Sequence, residues 1–180
     1  MLRSQLSPMP EYFDRYILKT DDVELLEAIR ISIAELDMAP VGKWTALGDR
    51  AYAPGKWSVK EILQHLIDTE RIFCYRALAF ARKESVRLPS YSEDEYGAAS
   101  DANRRSAEEL VAELRTLHHS TLQLFSSFTP EMLARSGMGF KGPYTVASVG
   151  FILPGHQRWH FGIINERYMP LLENNDLRGR

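Results

Sequence analysis

Near its C-terminus the chain reads GHQRWHFGII over residues 155–164, inside an apolar run that begins at Tyr144. In an α-helix, which has about 3.6 residues per turn, His156 and His160 project from one face and can bind a single metal ion between them. Two imidazoles do not complete a metal site. This stretch therefore predicts a helix that packs against another helix carrying at least one further ligand.

The best candidate for that further ligand is His65, in the segment WSVKEILQHL over residues 57–66. Ser58 followed three residues later by Glu61 is a capping box, which predicts that a helix begins here. His65 then falls on the apolar face of the helix. A lone histidine on such a face is more often a hydrogen-bonded core residue than a ligand, but the pair at 156 and 160 favours a three-histidine metal site between helices.

Four segments show the apolar periodicity of helices, and each begins at a residue that can cap a helix. The predicted helices cover residues 21–38, 58–82, 106–128 and 145–168, with caps at Asp21-Asp22, Ser58, Ser106 and Thr145. The connections at 39–56, 83–104 and 137–143 are rich in glycine, proline or polar residues, and no strand is predicted. We therefore expect an all-α domain over residues 1–180, most simply a four-helix bundle with long crossing loops and an N-terminal arm at 1–19.

Composition excludes several classes of function. The 180 residues carry 22 basic and 24 acidic side chains, a formal net charge of −2, without the basic patch that binds nucleic acid or an anionic membrane. No apolar run approaches the ~20 residues of a membrane span, and the first residues lack the apolar region of a signal peptide. The single cysteine, Cys74, excludes an internal disulfide or a cysteine cluster. These features predict a soluble, cytoplasmic protein.

Several other polar residues are interpreted as structural. His118 and His119 point about 100° apart on a helix and are predicted to be a surface pair. The run Glu93-Asp94-Glu95 is predicted to be a solvated acidic turn. Trp44, in the first long loop, is a candidate lid, and Cys74 is predicted to be a buried or edge thiol rather than a ligand.

Common catalytic motifs are missing from the sequence. Gln157 occupies the place where a zincin metalloprotease has its catalytic Glu after the first histidine. The chain also contains no Gly-x-Ser-x-Gly elbow, phosphate-binding loop or dinucleotide fingerprint. A bound metal is therefore the only evident source of an activated nucleophile.

The pattern Trp57-Ser58-x-x-Glu61-x-x-x-His65-Leu66-x-x-x-Glu70, followed downstream by His156-x-x-x-His160-x-Gly162-Ile163-Ile164, resembles the DinB/YfiT-like superfamily. The resemblance implies a four-helix bundle, commonly a homodimer, that binds a divalent ion through three histidines, here His65, His156 and His160. Relatives are metal-dependent transferases or isomerases that use low-molecular-weight thiols such as bacillithiol or mycothiol, and some are described as hydrolases. This chain departs from the commonest pattern at Pro154-Gly155.

The chemistry of the predicted site is coherent in its own right. Three neutral imidazoles suit Zn²⁺, Ni²⁺ or Fe²⁺ and leave coordination positions open for water or substrate. Either water or a thiol could then be activated at neutral pH. A carboxylate should lie nearby to orient an imidazole or accept a proton, and Asp68 ranks ahead of Glu61 for this role. We expect thiol transfer to a small electrophile, with hydrolysis second and a non-catalytic metal-binding bundle as the other alternative.

Overall fold

The structure, a computed structural model, describes residues 1–139 and 142–176, and it is predominantly helical. Its α-helices are α1 (Asp14–Ile17), α2 (Leu25–Asp37), α3 (Val41–Leu47), α4 (Val59–Ala81), α5 (Glu93–Ala99), α6 (Ala107–Ser126), α7 (Pro130–Ala134), α8 (Val146–Ile163) and α9 (Pro170–Asp176). Short 3₁₀ turns lie at Arg3–Gln5 and Ala102–Arg104, and the chain is π-helical over Ile164–Tyr168. Helices α2, α4, α6 and α8 form the predicted four-helix bundle. Among the described helices, none has the length and apolar character that crossing a membrane requires.

Local capping fixes where three of the bundle helices begin. The Ser58 hydroxyl accepts a hydrogen bond from the Glu61 amide at 3.1 Å, and the Glu61 carboxylate accepts one from the Ser58 amide at 2.6 Å. Ser106 and Glu109 form the same reciprocal pair at the start of α6, and Thr145 caps α8. These contacts satisfy backbone amides that have no partner within the helix. The three predicted starts are confirmed.

Helix α2 begins four residues later than predicted, because both expected capping carboxylates bind elsewhere. Asp22 accepts a hydrogen bond from the Ser4 amide at 2.8 Å, and Asp21 forms an ion pair with Arg158 at 2.7 Å. Glu24 takes the N-cap position, but its carboxylate binds the Met1 amino group and does not cap the helix. The N-terminal arm therefore packs against the entrance to α2 and alters where the helix starts.

The prediction that the chain contains no strand is wrong. Strands β1 (Ser136–Gly139) and β2 (Gly142–Thr145) form a short antiparallel hairpin that leads directly into α8. Glycine and proline make this segment a poor strand former. Tertiary contact explains the pairing, since Gly137 lies against the Phe80 ring, where a Cβ would come within 2.0 Å of a ring carbon.

The two long connections also contain helices. Helix α3 lies within 39–56 and buries Trp44, which is 1% exposed and packs against Phe161 at 5.2 Å between ring centroids. The prediction that Trp44 forms a lid is therefore wrong, because its indole belongs to the core. Helix α5 lies within 83–104, and Glu93, Asp94 and Glu95 form its first turn.

A buried polar layer divides the apolar core into two clusters. Glu70 of α4 forms an ion pair with His118 Nδ1 at 2.7 Å, and the Thr121 hydroxyl donates to the same carboxylate at 2.5 Å. His118 Nε2 lies 2.6 Å from Gln157 Oε1, and Gln157 donates to the Ser32 carbonyl at 2.9 Å. The layer therefore joins α2, α4, α6 and α8. The predicted surface position of His118 is wrong, since its ring is 4% exposed.

The hydrogen bonds define the charge of His118. The Ser32 carbonyl can only accept, so the Gln157 amide nitrogen faces it and the Gln157 oxygen faces His118. Both ring nitrogens of His118 therefore face acceptors, as imidazolium requires. Burial opposes the charged form, but the charge of Glu70 and the hydrogen bonds outweigh it and raise the pKa of His118. The resulting stabilisation is complete below the unfolded pKa of about 6.5 and is lost as pH rises through the raised value.

The N-terminal arm contacts α8 at Gly155. A Cβ at this position would lie 1.9 Å from the Tyr16 carbonyl oxygen, so only glycine allows α1 to approach this closely. Arg158, one turn further, donates to the Lys19 carbonyl at 2.8 Å and holds the same segment. The Pro154-Gly155 pair is thus accommodated within a continuous helix that leads into His156.

We expect Gly155→Ala to lower the free energy of unfolding by about 1–3 kcal/mol, because the added methyl group overpacks the contact with Tyr16. Gly162→Ala is the matched control in the same helix, since a Cβ there meets nothing within 4 Å. The control should stabilise the helix by up to about 1 kcal/mol. Urea unfolding of both variants tests the contact, and equal effects would contradict it.

We expect His118→Leu to lower the free energy of unfolding by about 3–5 kcal/mol, because it leaves the Glu70 carboxylate buried without its counter-charge. His119→Leu changes the exposed neighbour and should stay within about 0.5 kcal/mol of wild type. The double variant Glu70→Leu/His118→Leu should recover most of the loss. Urea unfolding at neutral pH measures all three. A double variant no more stable than His118→Leu would show that the charge pair is not the cause.

Candidate metal centre

The structure brings His65, His156 and His160 together between α4 and α8. The Nε2 atom of His156 lies 3.2 Å from that of His65 and 3.0 Å from that of His160. One ligand atom from each residue lies within 4.8 Å of the others. His65 and His156 are buried, at 6% and 5% exposure. The spacing of four residues on α8 therefore produces the convergence that the sequence predicts.

All three imidazoles are held in the neutral form that binds metals. Burial lowers the pKa of His65 to about 4 and that of His160 to about 3. Burial also lowers the pKa of His156 well below its ordinary value, and the other two rings add to this shift. At neutral pH each ring keeps a nitrogen lone pair available for coordination.

The separations fit a divalent ion. Two imidazole nitrogens bound to one ion at 2.0–2.1 Å in tetrahedral geometry lie about 3.3 Å apart, close to the 3.0 and 3.2 Å found here. Within residues 1–139 and 142–176, the ligand cluster consists of these three histidines, with no fourth protein ligand. Three ligands leave coordination positions open, which is the arrangement of catalytic rather than structural zinc sites.

Hydrogen bonding orients His65. Its Nδ1 lies 3.4 Å from the hydroxyl of Thr69, one turn along α4, and this hydroxyl lies 2.7 Å from that of Tyr91. With Nε2 as the ligand atom, Nδ1 carries the hydrogen and donates to Thr69. Such outer partners fix the tautomer and the ring orientation of metal-binding histidines. By contrast, Nδ1 of His160 is buried without a hydrogen-bond partner among the described residues.

Aromatic rings surround the histidines. Trp57 lies over His65 with ring centroids 4.9 Å apart, and Tyr16 packs edge-on against His156 at the same distance. A cavity of about 220 Å³ reaches His160. Its walls are Tyr52, Gly55, Lys56, Trp57, Ile62, Asp94, Ile163 and Tyr168. Trp57 thus walls the site without filling it, and space for a small molecule remains.

The two predicted carboxylates lie outside the histidine cluster. Glu61 accepts the hydrogen bond from the Ser58 amide that caps α4. Asp68 accepts a hydrogen bond from Gln64 at 2.9 Å and lines a separate cavity with Arg71 and Arg105. Within the described part of the chain, neither carboxylate hydrogen-bonds to any of the three imidazoles. Their roles as proton acceptors stay predictions.

Sequence reasoning missed Asp94, which lines the cavity at His160. Its negative charge raises the pKa of His65, against the larger lowering effect of burial. Its carboxylate is exposed, as the predicted acidic turn implied. The proximity to the histidines arises because α5 folds over Trp57, whose ring lies 3.2 Å from where a Cβ of Gly97 would be. Thr69 could have been found from its spacing of four residues after His65.

Comparison with known proteins agrees with this fold. The sequence model of the DinB superfamily matches residues 23–164. Comparison with curated proteins finds no match. Among solved structures, the chain is similar to YfiT from Bacillus subtilis, described as a probable metal-dependent hydrolase with an unusual four-helix bundle topology. The two share 19% identity with a TM-score of 0.67, over 93% of this chain and 91% of YfiT. Because the family match spans both motif helices and most of the chain, this protein belongs to the DinB superfamily.

Proposed function

We propose that this protein is a divalent-metal-dependent enzyme in which His65, His156 and His160 hold the ion, and that it transfers a low-molecular-weight thiol to a small electrophile. The convergence of three neutral Nε2 atoms carries the proposal. Zn²⁺ and Ni²⁺ suit this set of ligands best, and Fe²⁺ is compatible with it. When bound, such an ion acts as a Lewis acid that lowers the pKa of a coordinated water or thiol.

The cavity beside His160 supports a cosubstrate larger than water. Its walls combine helical residues with Tyr52 and Lys56 from the first long connection and Asp94 from the second. At about 220 Å³ it can hold a small organic molecule next to the histidines. A thiol needs such a surface, whereas water does not.

The surrounding residues have separate roles in this proposal. Trp57 and Tyr16 cover two of the imidazoles and exclude water from them. Thr69 keeps Nε2 of His65 directed at the ion. Asp94 is the carboxylate on the cavity wall and is placed to accept a proton from the incoming nucleophile. Asp68 and Glu61 would act from outside the histidine cluster.

Hydrolysis is the second candidate, favoured by the description of YfiT as a probable metal-dependent hydrolase. It needs the same ligands and proton acceptor, with water in place of the thiol. A purely structural role is disfavoured because the cluster offers three ligands among the described residues, whereas structural zinc sites have four. The homodimer and the cytoplasmic location stay predictions.

Purified protein should contain about one divalent ion per chain, and His160→Ala should lose most of it, because two imidazoles bind far less tightly than three. His119→Ala is the matched control, since this exposed imidazole lies outside the cluster. Elemental analysis of both variants gives the result directly. Equal metal content in the two would remove the three-histidine site.

The metal-loaded protein should accelerate reaction of an activated aryl halide with a low-molecular-weight thiol, and His65→Ala should reduce the rate by more than about 100-fold, since losing an outer partner alone costs 10–100-fold. Asp94→Asn should lower the rate while leaving the metal content unchanged. The assay compares a panel of thiols with no thiol, and an activated ester serves as the hydrolytic substrate. Turnover of the ester without thiol would favour hydrolysis instead. Failure of both reactions would leave only the metal-binding role.

A further inference from the structure

A second cavity, outside the histidine cluster, contains a buried arginine without a carboxylate partner. This cavity of about 260 Å³ is lined by Tyr12, Phe13, Phe73, Arg76, Ser90, Tyr91, Glu93 and Asp94. Arg76 is 4% exposed, yet among the described residues it forms no ion pair. Burying a guanidinium without a counter-charge is costly. A residue kept in this state is suited to bind an anionic group of a ligand.

Most of the hydrogen-bonding capacity of Arg76 is unused. One nitrogen donates to the Pro89 carbonyl at 2.9 Å, and the guanidinium lies 5.0 Å from the Phe73 ring centroid. A guanidinium has five N–H donors. The guanidinium also lies near the Tyr144 hydroxyl, and Arg76 lines the cavity with its other nitrogens free of further hydrogen bonds among the described residues. These nitrogens offer a planar pair of N–H donors, which forms especially strong hydrogen bonds to a carboxylate.

Part of the cavity wall is acidic. Glu93 and Asp94 are adjacent on α5, and both line the cavity. Burial raises the pKa of Glu93, and the negative charge of Asp94 adds to the shift. A cation placed between these two groups would relieve their repulsion. An anion alone would be attracted to Arg76 but repelled by this wall, so the cavity is complementary to a molecule with both charges.

We propose that this cavity binds a small zwitterion of the amino-acid class. The carboxylate of the ligand binds Arg76, and its ammonium group lies towards Glu93 and Asp94. The side chain of the ligand packs against the rings of Phe13, Phe73 and Tyr91. The ring of Phe13 packs on that of Phe73 at 5.6 Å, which makes this part of the wall apolar. The volume is sufficient for an amino acid. The charges, the unused donors and the apolar wall thus each bind a different part of one molecule.

The cavity is connected to the candidate metal centre. Arg76 follows His65 by eleven residues, which places it on the same face of α4, about 16 Å further along the helix axis. Tyr91 lines the cavity and contacts Thr69, which contacts His65, and Asp94 lines both this cavity and the one at His160. The inference that this zwitterion is part of the enzyme's substrate rests on the proposed function. Its binding at Arg76 does not.

Three compounds with the same phenyl ring separate the two charges. L-Phenylalanine carries both, 3-phenylpropanoate only the carboxylate and 2-phenylethylamine only the ammonium group. Titration calorimetry with the metal-loaded protein should give the tightest binding for L-phenylalanine. Arg76→Met should weaken that binding at least tenfold, whereas Arg82→Met, at the exposed end of α4, should not. Glu93→Gln should reduce the preference for L-phenylalanine over 3-phenylpropanoate, which provides a test if Arg76→Met does not fold.

The same titration in His160→Ala separates this site from the metal. L-Phenylalanine could chelate an ion through its own amino and carboxylate groups, so binding that is lost in His160→Ala but kept in Arg76→Met would overturn the proposal. Absence of binding at millimolar concentrations, or equal affinity for all three compounds, would also overturn it. Retained binding in His160→Ala supports the Arg76 site, even if the metal-dependent reaction is not found.

Discussion

The buried ion pair between Glu70 and His118 determines how the bundle helices align. Through Thr121, Gln157 and Ser32 it joins the four main helices at one level of the core. Apolar side chains pack in many registers with similar free energy, whereas this layer can be fully hydrogen-bonded in only one. Gln157 directly follows His156, and Glu70 comes five residues after His65. The register that satisfies the polar layer is therefore also the register that brings the ligands together.

The two kinds of buried histidine show how one side-chain type acquires opposite charges. His118 is protonated because a carboxylate and an amide oxygen face its two nitrogens. His65, His156 and His160 face one another, and burial there is not compensated by a carboxylate in contact. Burial keeps these rings neutral, and a positive charge on His65 would further oppose protonation of His156 and His160. The bundle thus holds a charged histidine on α6 and a set of neutral ligands on α4 and α8, which are linked through Gln157, the residue after His156.

The sequence allowed prediction of features that depend on local geometry. Capping residues and apolar periodicity located α4, α6 and α8, and the spacing of His156 and His160 located the ligand pair. His118 was assigned to the surface although it lies four residues after Leu114 and seven before Phe125, on the buried face. The contributions of Asp94, Tyr16 and Arg76 depend on how the long connections and the N-terminal arm fold over the bundle. No periodicity in the sequence encodes those contacts, because they join segments far apart in the chain.

The contact between Tyr16 and α8 has a consequence for synthesis of the protein on the ribosome. The carbonyl of Tyr16 lies against Gly155, and its ring lies against His156, so two segments that are far apart in the chain pack together. Contacts of such long sequence separation slow folding, because the intervening chain must be ordered first. Helices α4 and α6 can associate while the chain is still being made. The aromatic cover over His156, however, can form only after α8 has left the exit tunnel.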